Sequence, residues 1–263
     1  MTDTVPLLVE RVGRVAVLQL NRPHVLNALD PALVDALRGA VEAAGADPAV
    51  GCILVTAAGR SFCAGGDLTA MLEMDGDAGA FRAYIERLQA LSLAMQRVPV
   101  PTVAALHGHV LAGGFELAIE CDIRVATRDV VFGLPDTSIG LSPTSGMSWL
   151  LPRIVGEGWA RHLLLTGETI DVRTAERIGL VTRVVDAESP DEEALALATA
   201  IAAQPPVGLR LIRAELAAAA FGTLEEATAR ETDAEVECFA TAEFQASLRA
   251  FAKRRRRPRG DRA

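Results

Sequence analysis

The spacing of apolar residues switches between the period of a strand and the period of a helix along most of the chain. The stretch "VGRVAVLQLN" alternates and is rich in β-branched residues, which predicts a strand ending near Asn21. The run "DPALVDALRGAVEAAGAD" opens with Asp30 and Pro31, a capping residue followed by a proline suited to a first helical turn. "VGCILVTA" is a short, continuous apolar run, which is typical of a strand buried on both faces.

Strands and helices continue to alternate to about Pro190. We expect a glycine-rich loop at "AGRSFCAGGD", a helix from Leu68 to Arg97 broken at "DGDAGA", and a strand at "VPVPTVAALHG". A turn at "HVLAGG", a helix at "FELAIECD", strands at "IRVAT" and "DVVFGLP", and a helix after "GLSPTSG" follow. The segment after these reads as helix, turn, helix and strand, and then only helical spacing remains. This order predicts an α/β core over residues 1–195 and a helical C-terminal region with a basic tail over residues 196–263.

Composition and charge narrow the class of protein. Half of the 263 residues are hydrophobic and only 4% are aromatic, so the core must be aliphatic. The net charge is −8, although the tail "KRRRRPRGDRA" carries +6, which leaves −14 on the rest of the chain. Because nucleic-acid-binding domains are usually basic over their folded body, we expect no nucleic-acid partner.

The cysteines and the N-terminal segment indicate the cellular compartment of the protein. Four cysteines, Cys52, Cys63, Cys121 and Cys238, show no metal-binding spacing, so reduced thiols in a cytoplasmic protein are expected. The first residues lack the pattern of a signal peptide, and no run of about 18 apolar residues predicts a membrane span. We therefore expect a cytoplasmic protein that is not associated with a membrane.

Two glycine-rich turns follow two apolar strands, at "VTAAGRSFCAGGD" and "VAALHGHVLAGGFE". Each should place unpaired helix N–H groups just beyond a strand, where they carry partial positive charge. Two such turns side by side could stabilise a developing oxyanion, although turns of this kind are also common in α/β proteins without any ligand. Neither turn has the pattern of a dinucleotide-binding or phosphate-binding loop.

A single carboxylate interrupts the apolar run after the second turn. Glu116 lies three residues beyond Gly113 in "AGGFELAIECD", where an unpaired charge would be costly. Such a residue is either a helix-capping group or a catalytic acid/base.

Five segments, in order, resemble the enoyl-CoA hydratase/isomerase family, also called the crotonase superfamily. They are "LNRPHVLNALD", "GRSFCAGGDL", "ALHGHVLAGGFELAIECD", "FGLPDTSIGLSPTSGMSWLLPRIVG" and "LLLTGETIDVRTAERIGLVTRVV". The resemblance implies a spiral of ββα units forming two sheets, with C-terminal helices that mediate assembly into a homotrimer or a dimer of trimers. It also implies an acyl-CoA substrate in fatty acid metabolism.

Site residues are carried over by position from this resemblance. The N–H groups of Ala64 and Gly113 would form the oxyanion hole, and Glu116 would be the first catalytic carboxylate. Asp136 in "FGLPD" takes the place of the second catalytic glutamate, one methylene shorter, so it is either a second acid/base or a structural loop residue. The expected substrate-binding residues are Arg22, His24, Val25, Leu26, Ala64, Asp67, Leu68 and Lys253.

The expected reaction is addition of water to a 2-enoyl-CoA, with Glu116 and Asp136 holding the water. Alternatives are double-bond isomerisation, for which one carboxylate suffices, and a non-catalytic acyl-CoA-binding role. No metal or other cofactor is expected, because the enolate charge falls on backbone amides and coenzyme A is part of the substrate.

Several other polar residues are weaker candidates. His107 and His109 are interpreted as packing or hydrogen-bonding residues, Cys63 as a core residue, and Asp67 as a helix cap. The hydroxyls near the expected acyl pocket are interpreted as caps of the following helix; they belong to Ser142, Thr144, Ser145 and Ser148.

Overall fold

The fold contains nine strands and ten helices in a computed structural model that describes residues 5–256 and, of these, the side chains up to residue 252. The strands are β1 Leu7–Val12, β2 Val15–Leu20, β3 Cys52–Ala57, β4 Thr102–Leu106, β5 His109–Leu111, β6 Ile123–Thr127, β7 Val131–Gly133, β8 Thr169–Asp171 and β9 Arg183–Val185.

The helices occupy the intervals between strands and then the C-terminal part of the chain. They are α1 Pro31–Ala46, α2 Leu68–Glu73, α3 Ala78–Arg97, α4 Gly113–Glu120, α5 Met147–Thr166, α6 Val172–Arg177, α7 Asp191–Ala202, α8 Pro206–Ala219, α9 Leu224–Ala240 and α10 Ala242–Arg256. Two short 3-10 helices, Pro23–Val25 and Pro135–Ile139, lie between them. The helix α5 is interrupted at Gly156, which has a φ of 77°.

Two sheets organise the first part of the chain. The larger sheet has the order β1-β2-β3-β4-β6-β9; β1 pairs antiparallel with β2, and the other pairs are parallel. The smaller sheet has the order β5-β7-β8. Since β3 and β4 are parallel neighbours, their carboxyl ends meet at one edge, and the two glycine-rich turns leave the sheet there.

Three strands differ from the sequence-based expectation, and each has a weak apolar pattern. Only Leu7 of β1 is buried, so this strand has no buried face for periodicity to detect. The strands β5 and β8 have three residues each and lie within segments that we expected to be turns. Strands this short contain too few residues to show a period of two.

The chain divides into two compact units, Met1–Ala203 and Gln204–Ala263. This boundary lies later than the predicted one at residue 195, because α7 belongs to the first unit. Its buried face, Ala194, Ala198 and Ala202, packs in one hydrophobic cluster with strand residues such as Leu54 and Val103. The second unit is helical, as expected, over its described residues.

Candidate active site

The two glycine-rich turns are joined to each other by backbone hydrogen bonds. Phe62 N–H donates to the carbonyl of His107 at 2.9 Å, and Cys63 N–H donates to that of His109 at 3.1 Å. In return, Leu111 N–H donates to the Cys63 carbonyl at 3.0 Å. The first turn therefore runs alongside β5 as an additional short strand segment, which fixes its position relative to α4.

Glycine is required where the turns make their closest approach. A Cβ on Gly114 would lie 2.3 Å from the carbonyl oxygen of Cys63, and a Cβ on Gly65 would lie 2.6 Å from the Cβ of Ala112. Gly65 also has a φ of +108°, a conformation that side chains with a Cβ rarely adopt. The glycines thus permit the backbones of the two turns to approach each other closely.

The two expected oxyanion-hole N–H groups differ in their hydrogen bonding. Gly113 is the first residue of α4, so its N–H has no acceptor within the helix. Ala112 before it has φ 47° and ψ −123°, an unfavourable conformation for a residue with a Cβ. The N–H of Ala64, by contrast, donates to the carbonyl of Leu26 at 3.0 Å. A substrate oxygen that uses Ala64 must therefore compete with the Leu26 carbonyl.

Glu116 lies in the first turn of α4, and only 2% of its surface is exposed. Its Oε1 accepts a hydrogen bond from the N–H of Thr144 and its Oε2 accepts one from the Thr144 hydroxyl, both at 2.6 Å. Burial raises the pKa of Glu116, the bonds from Thr144 and Ser145 lower it, and the charge of Asp136 raises it; the pKa lies above its ordinary value. Glu116 is thus a buried carboxyl of increased basicity that is held in place by hydrogen bonds.

Asp136 lines a cavity of about 360 Å³ beside the two turns. Ala64 and Ala112 contribute to the same wall, whereas Glu116 does not. The Asp136 Oδ2 atom is buried and has no hydrogen-bond partner among the residues that the structure describes. Burial raises the pKa of Asp136 above its ordinary value. A buried, unpaired carboxyl oxygen in a cavity is suited to bind a water molecule or a polar group of a ligand.

A second buried carboxyl, Glu120, was not singled out from the sequence. It follows Glu116 by one helical turn and is 3% exposed. Burial raises its pKa to about 8; a hydrogen bond with Ser92 lowers the pKa, the charge of Glu116 raises it, and a bond with Ser145 lowers it. The spacing of four residues on a helix, which places both carboxyls on one face, is the sequence signal that could have identified Glu120.

The hydroxyl-rich segment before α5 has a different role from the one expected. The N-cap of α5 is Gly146, and no side chain caps the helix. Instead, the Thr144 hydroxyl donates to Glu116, and the backbone carbonyl of the buried Ser145 accepts a hydrogen bond from the Ser92 hydroxyl at 3.2 Å. Ser142 and Ser148 are exposed. The capping interpretation is therefore wrong, because none of these hydroxyls accepts a hydrogen bond from the first N–H groups of α5.

Arg22 and Asp67, expected to bind substrate, are bonded to each other. An Arg22 guanidinium nitrogen lies 2.9 Å from Asp67 Oδ2, and another lies 3.2 Å from Asp30 Oδ2. Asp67 also accepts hydrogen bonds from the N–H groups of Thr69 and Ala70, so its interpretation as a helix cap is confirmed. Although burial raises the pKa of Asp67, the bonds from Arg22 and these N–H groups outweigh burial and bring the pKa below its ordinary value.

The other expected substrate-binding residues are divided between the cavity and its surroundings. Val25, Asp67 and Leu68 line the cavity. His24 is exposed on the short 3-10 helix, and Leu26 beside it has a positive φ of 54°. Lys253 belongs to α10, but its side chain lies outside the described part of the structure, as does the arginine-rich tail beyond residue 256.

The weaker sequence candidates have structural roles. His107 Nε2 bonds to the Gly59 carbonyl at 3.0 Å, and His109 Nδ1 lies 3.1 Å from the hydroxyl of Ser61, which is itself 1% exposed. Cys63 is fully buried, and burial raises the pKa of its thiol to about 12, so it remains protonated. Both histidines are hydrogen-bonding residues, and Cys63 is a core residue, as expected.

Other parts of the described chain do not add to this site. Residues 5–256 contain no group of three or more His, Cys, Asp or Glu side chains placed to hold a metal ion. A second hollow of about 460 Å³, walled by residues that include Arg38 and Arg97, contains none of the expected site residues. Within the same described range, none of the individual helices combines the length with the apolar composition that a membrane-spanning helix requires.

Comparison with known proteins places the chain among acyl-CoA enzymes. A family model described as "Enoyl-CoA hydratase/isomerase" matches residues 10–261. A crotonyl-CoA hydratase of Syntrophomonas wolfei is 35% identical over 252 residues, which cover 95% of this chain and 96% of the relative. A short-chain-enoyl-CoA hydratase of Clostridium acetobutylicum is 32% identical over 95% of each chain. The solved structure of an enoyl-CoA hydratase from a Polaromonas species has a TM-score of 0.89 at 31% identity and covers 94% of this chain and 97% of that one.

Proposed function

This chain belongs to the enoyl-CoA hydratase/isomerase family, and from that membership we propose that it adds water to the double bond of a 2-enoyl-CoA thioester to give a 3-hydroxyacyl-CoA. The observation that carries this proposal is the pair of coupled carboxyls beside the two glycine-rich turns. Asp136 presents an unpaired oxygen to the cavity, and its charge acts on Glu116. Hydration needs one group to deprotonate water and one to deliver a proton, and the two carboxyls can divide these tasks.

The oxyanion hole provides electrostatic stabilisation in this mechanism. The thioester oxygen accepts a hydrogen bond from the N–H of Gly113, which has no acceptor within α4. It accepts a second hydrogen bond from the N–H of Ala64, which must first break its bond to the Leu26 carbonyl. Charge that develops on this oxygen during attack is stabilised by fixed N–H dipoles and by the N-terminus of α4. The proposal therefore needs no metal or redox cofactor, and coenzyme A enters with the substrate.

The carboxyls act on the same water molecule. Glu116 accepts a proton from the water as it attacks the β-carbon, and its raised pKa makes it a better base than an ordinary glutamate. Asp136 delivers or relays a proton to the α-carbon. Because Asp136 is one methylene shorter than glutamate, its place on the 3-10 helix at the cavity wall determines whether it reaches the substrate.

One observation favours double-bond isomerisation as a second candidate. Asp136 alone of the two carboxyls lines the cavity, whereas both oxygens of Glu116 are bonded to Thr144. A single carboxylate can remove a proton from one carbon of a 3-enoyl thioester and return it to another. In that case Asp136 would be the catalytic base and Glu116 would hold the loop at Thr144.

Isotope labelling separates the two reactions. The enzyme is incubated with crotonyl-CoA and, separately, with a 3-enoyl-CoA in water labelled with a heavy isotope of oxygen. The masses of the products are then measured by mass spectrometry. Incorporation of oxygen into the product of crotonyl-CoA supports hydration, whereas a shifted double bond without oxygen gain supports isomerisation. Failure to convert either substrate would contradict both candidates.

Two substitutions then assign the roles of the carboxyls. If hydration is the native reaction, Glu116→Gln and Asp136→Ala should each lower kcat by about 10²- to 10⁴-fold, the usual contribution of a general acid or base. If Asp136 is an isomerase base, Asp136→Ala should be severe and Glu116→Gln mild. Glu176→Gln, a change at an exposed glutamate of α6, is the matched control. Full activity of Asp136→Ala on both substrates would show that Asp136 is a structural loop residue.

A further inference from the structure

Leu29, in the segment before α1, is bonded to the first glycine-rich turn through its backbone. Its N–H donates to the Gly65 carbonyl at 2.8 Å, and its carbonyl accepts a hydrogen bond from the N–H of Asp67 at 3.1 Å. The two bonds form a parallel bridge opposite Gly66. Because both bonds lie on the same residue, the position of Leu29 determines the position of this turn.

The side chain of Leu29 reaches the second glycine-rich turn. A Cβ added to Gly113, the first residue of α4, would lie 3.1 Å from Leu29 Cδ1 and 3.5 Å from the backbone nitrogen of Gly66. The Leu29 side chain and the first turn therefore both border the start of α4. A displacement of Leu29 would change the position of the first turn relative to this helix.

Tyr84 of α3 holds Leu29 from the other side. Its hydroxyl donates to the Leu29 carbonyl at 2.6 Å, so this carbonyl accepts hydrogen bonds from both Tyr84 and Asp67. A Cβ added to Gly66 would lie 2.9 Å from the Tyr84 hydroxyl oxygen, which places the phenol directly behind the first turn. Burial raises the pKa of Tyr84, so the phenol stays protonated and remains a donor.

Packing alone does not account for the hydroxyl of Tyr84. The residue is 1% exposed, and its ring contacts that of Phe81 at a centroid distance of 6.5 Å. Phenylalanine fills buried positions elsewhere in this core, at Phe62 and Phe115, without any polar atom to satisfy. A buried hydroxyl is costly unless it is hydrogen-bonded, so the bond to Leu29 is the feature that distinguishes tyrosine from phenylalanine here.

From these contacts we propose that Tyr84 is a positioning residue of the reaction, which acts through Leu29 to fix the first glycine-rich turn against the start of α4. The inference rests on the proposed function, in which N–H groups of both turns stabilise the enolate. Tyr84 is not among the described residues that line the cavity, so it acts without touching the substrate. Donors stabilise a developing charge only at the correct spacing; therefore the hydroxyl should matter more in the transition state than in the ground state.

Tyr84→Phe removes the hydroxyl and keeps the ring. Because the Leu29 carbonyl retains its bond from Asp67, the variant should fold. Its kcat on crotonyl-CoA should fall about tenfold, the rate equivalent of one hydrogen bond, while KM stays close to that of the wild type. The matched control is Thr102→Val, which removes a buried hydroxyl that is bonded to Asp122 at the opposite end of β4. This control should lower the Tm without changing kcat.

A pair of CoA thioesters separates positioning from general structural loss without any turnover. Acetoacetyl-CoA is in equilibrium with an enolate that absorbs in the near ultraviolet, and oxyanion donors favour this enolate, whereas butyryl-CoA forms no comparable charge. The wild type should increase the enolate absorbance. Tyr84→Phe should bind acetoacetyl-CoA about tenfold more weakly, with less enolate, and bind butyryl-CoA as the wild type does. Thr102→Val should match the wild type for both thioesters.

Leu29→Val tests the same route from its middle, because it shortens the side chain that borders Gly113 and keeps the backbone bonds. It should reproduce the selective loss of enolate binding, and it decides the question if Tyr84→Phe does not fold. Wild-type enolate binding in either folded variant, or an equal loss of affinity for both thioesters, would overturn the inference. A wild type that neither hydrates crotonyl-CoA nor increases the enolate absorbance would instead refute the proposed function, and this inference with it.

Discussion

At the residue scale, a small number of neighbouring groups determine the pKa of the two candidate catalytic carboxyls, Glu116 and Asp136. The sequence alone identified Glu116, because a charged residue in an apolar run is conspicuous, and it identified Asp136 by its position in a family motif. It did not identify Thr144 as the partner of Glu116. The two residues are 28 positions apart, and the contact depends on a loop conformation that local propensity does not encode.

The Thr144 hydroxyl should set the pH at which the enzyme becomes active. Thr144→Val removes a hydroxyl that stabilises the Glu116 carboxylate, so the pKa of Glu116 rises further. A base works only when deprotonated; therefore the acid limb of kcat/KM should move to higher pH by about one to two units, the equivalent of one hydrogen bond to a charged group.

Thr144→Ser is the matched control for this prediction. It keeps the hydroxyl and the backbone N–H, so its acid limb should stay close to that of the wild type. The measurement is the pH dependence of kcat/KM for the three proteins. If Thr144→Val and the wild type have the same acid limb, Glu116 is not the group whose ionisation limits the reaction.

The pH dependence of stability follows from Glu120. Its pKa is about 8 in the folded protein against an ordinary value of 4.5, so between these values the folded state binds more protons than the unfolded chain. The free energy of unfolding should therefore fall as the pH rises from about 4.5 to about 8. Relative to Glu120→Gln, the Tm of the wild type should decline across this window and change little outside it. A constant difference in Tm across the window would contradict a neutral, buried Glu120.

At the element scale, the sequence predicted the elements that have a clear apolar pattern and missed short strands. Helical spacing and the capping signal of Asp30 predicted α1, and the apolar runs predicted β3 and β4. The short strands β5 and β8 could not be predicted, because they are held by pairing with β7 and not by a periodic pattern of their own. Tertiary pairing thus decided the elements for which local sequence carried little information.

Adding one methyl group between the two turns should disturb the site more than the fold. A Cβ on Gly114 meets the Cys63 carbonyl at 2.3 Å, so Gly114→Ala must push α4 and the first turn apart. A displacement of about 1 Å at a reacting centre can lower the rate about 10²-fold, and we expect a loss of that order in kcat/KM. The control is Gly158→Ala in α5, where a Cβ meets nothing within 4 Å and activity should be unchanged. Equal activities of the two variants would refute close contact of the turns.

At the scale of the whole molecule, the two compact units differ in how far their apolar side chains are buried. The unit Met1–Ala203 buries an aliphatic core around its sheets. The unit Gln204–Ala263 leaves many apolar side chains exposed along α8, α9 and α10: Ile212, Leu216, Val236, Phe239, Phe244, Leu248 and Phe251. Periodicity predicted the helices correctly, but it could not show that their apolar stripes would remain uncovered within one chain, because a buried stripe and an interface stripe have the same spacing.

The exposed stripe predicts self-association, and the family resemblance implies that the assembly is a homotrimer or a dimer of trimers. Apolar surface of this extent is unusual on a soluble monomer and is typical of an interface. Leu216→Asp, at a position that is 71% exposed, should lower the sedimenting mass towards that of a monomer. Leu165→Asp, at an equally apolar position that is 74% exposed in the first unit, is the control and should leave the mass unchanged. A monomeric wild type in sedimentation velocity experiments would contradict the expectation.

The placement of Asp136 has a consequence for protein engineering. Its 3-10 helix, Pro135–Ile139, contains no buried residue, whereas Glu116 lies inside the core. Substitutions away from the core usually change stability by about 0.5 kcal/mol or less, so side chains at this turn can be varied with little danger to folding. Libraries that randomise residues 135–139 and keep α4 constant should therefore yield mostly folded proteins, and selection among them can explore new acid/base chemistry on an unchanged oxyanion-binding scaffold.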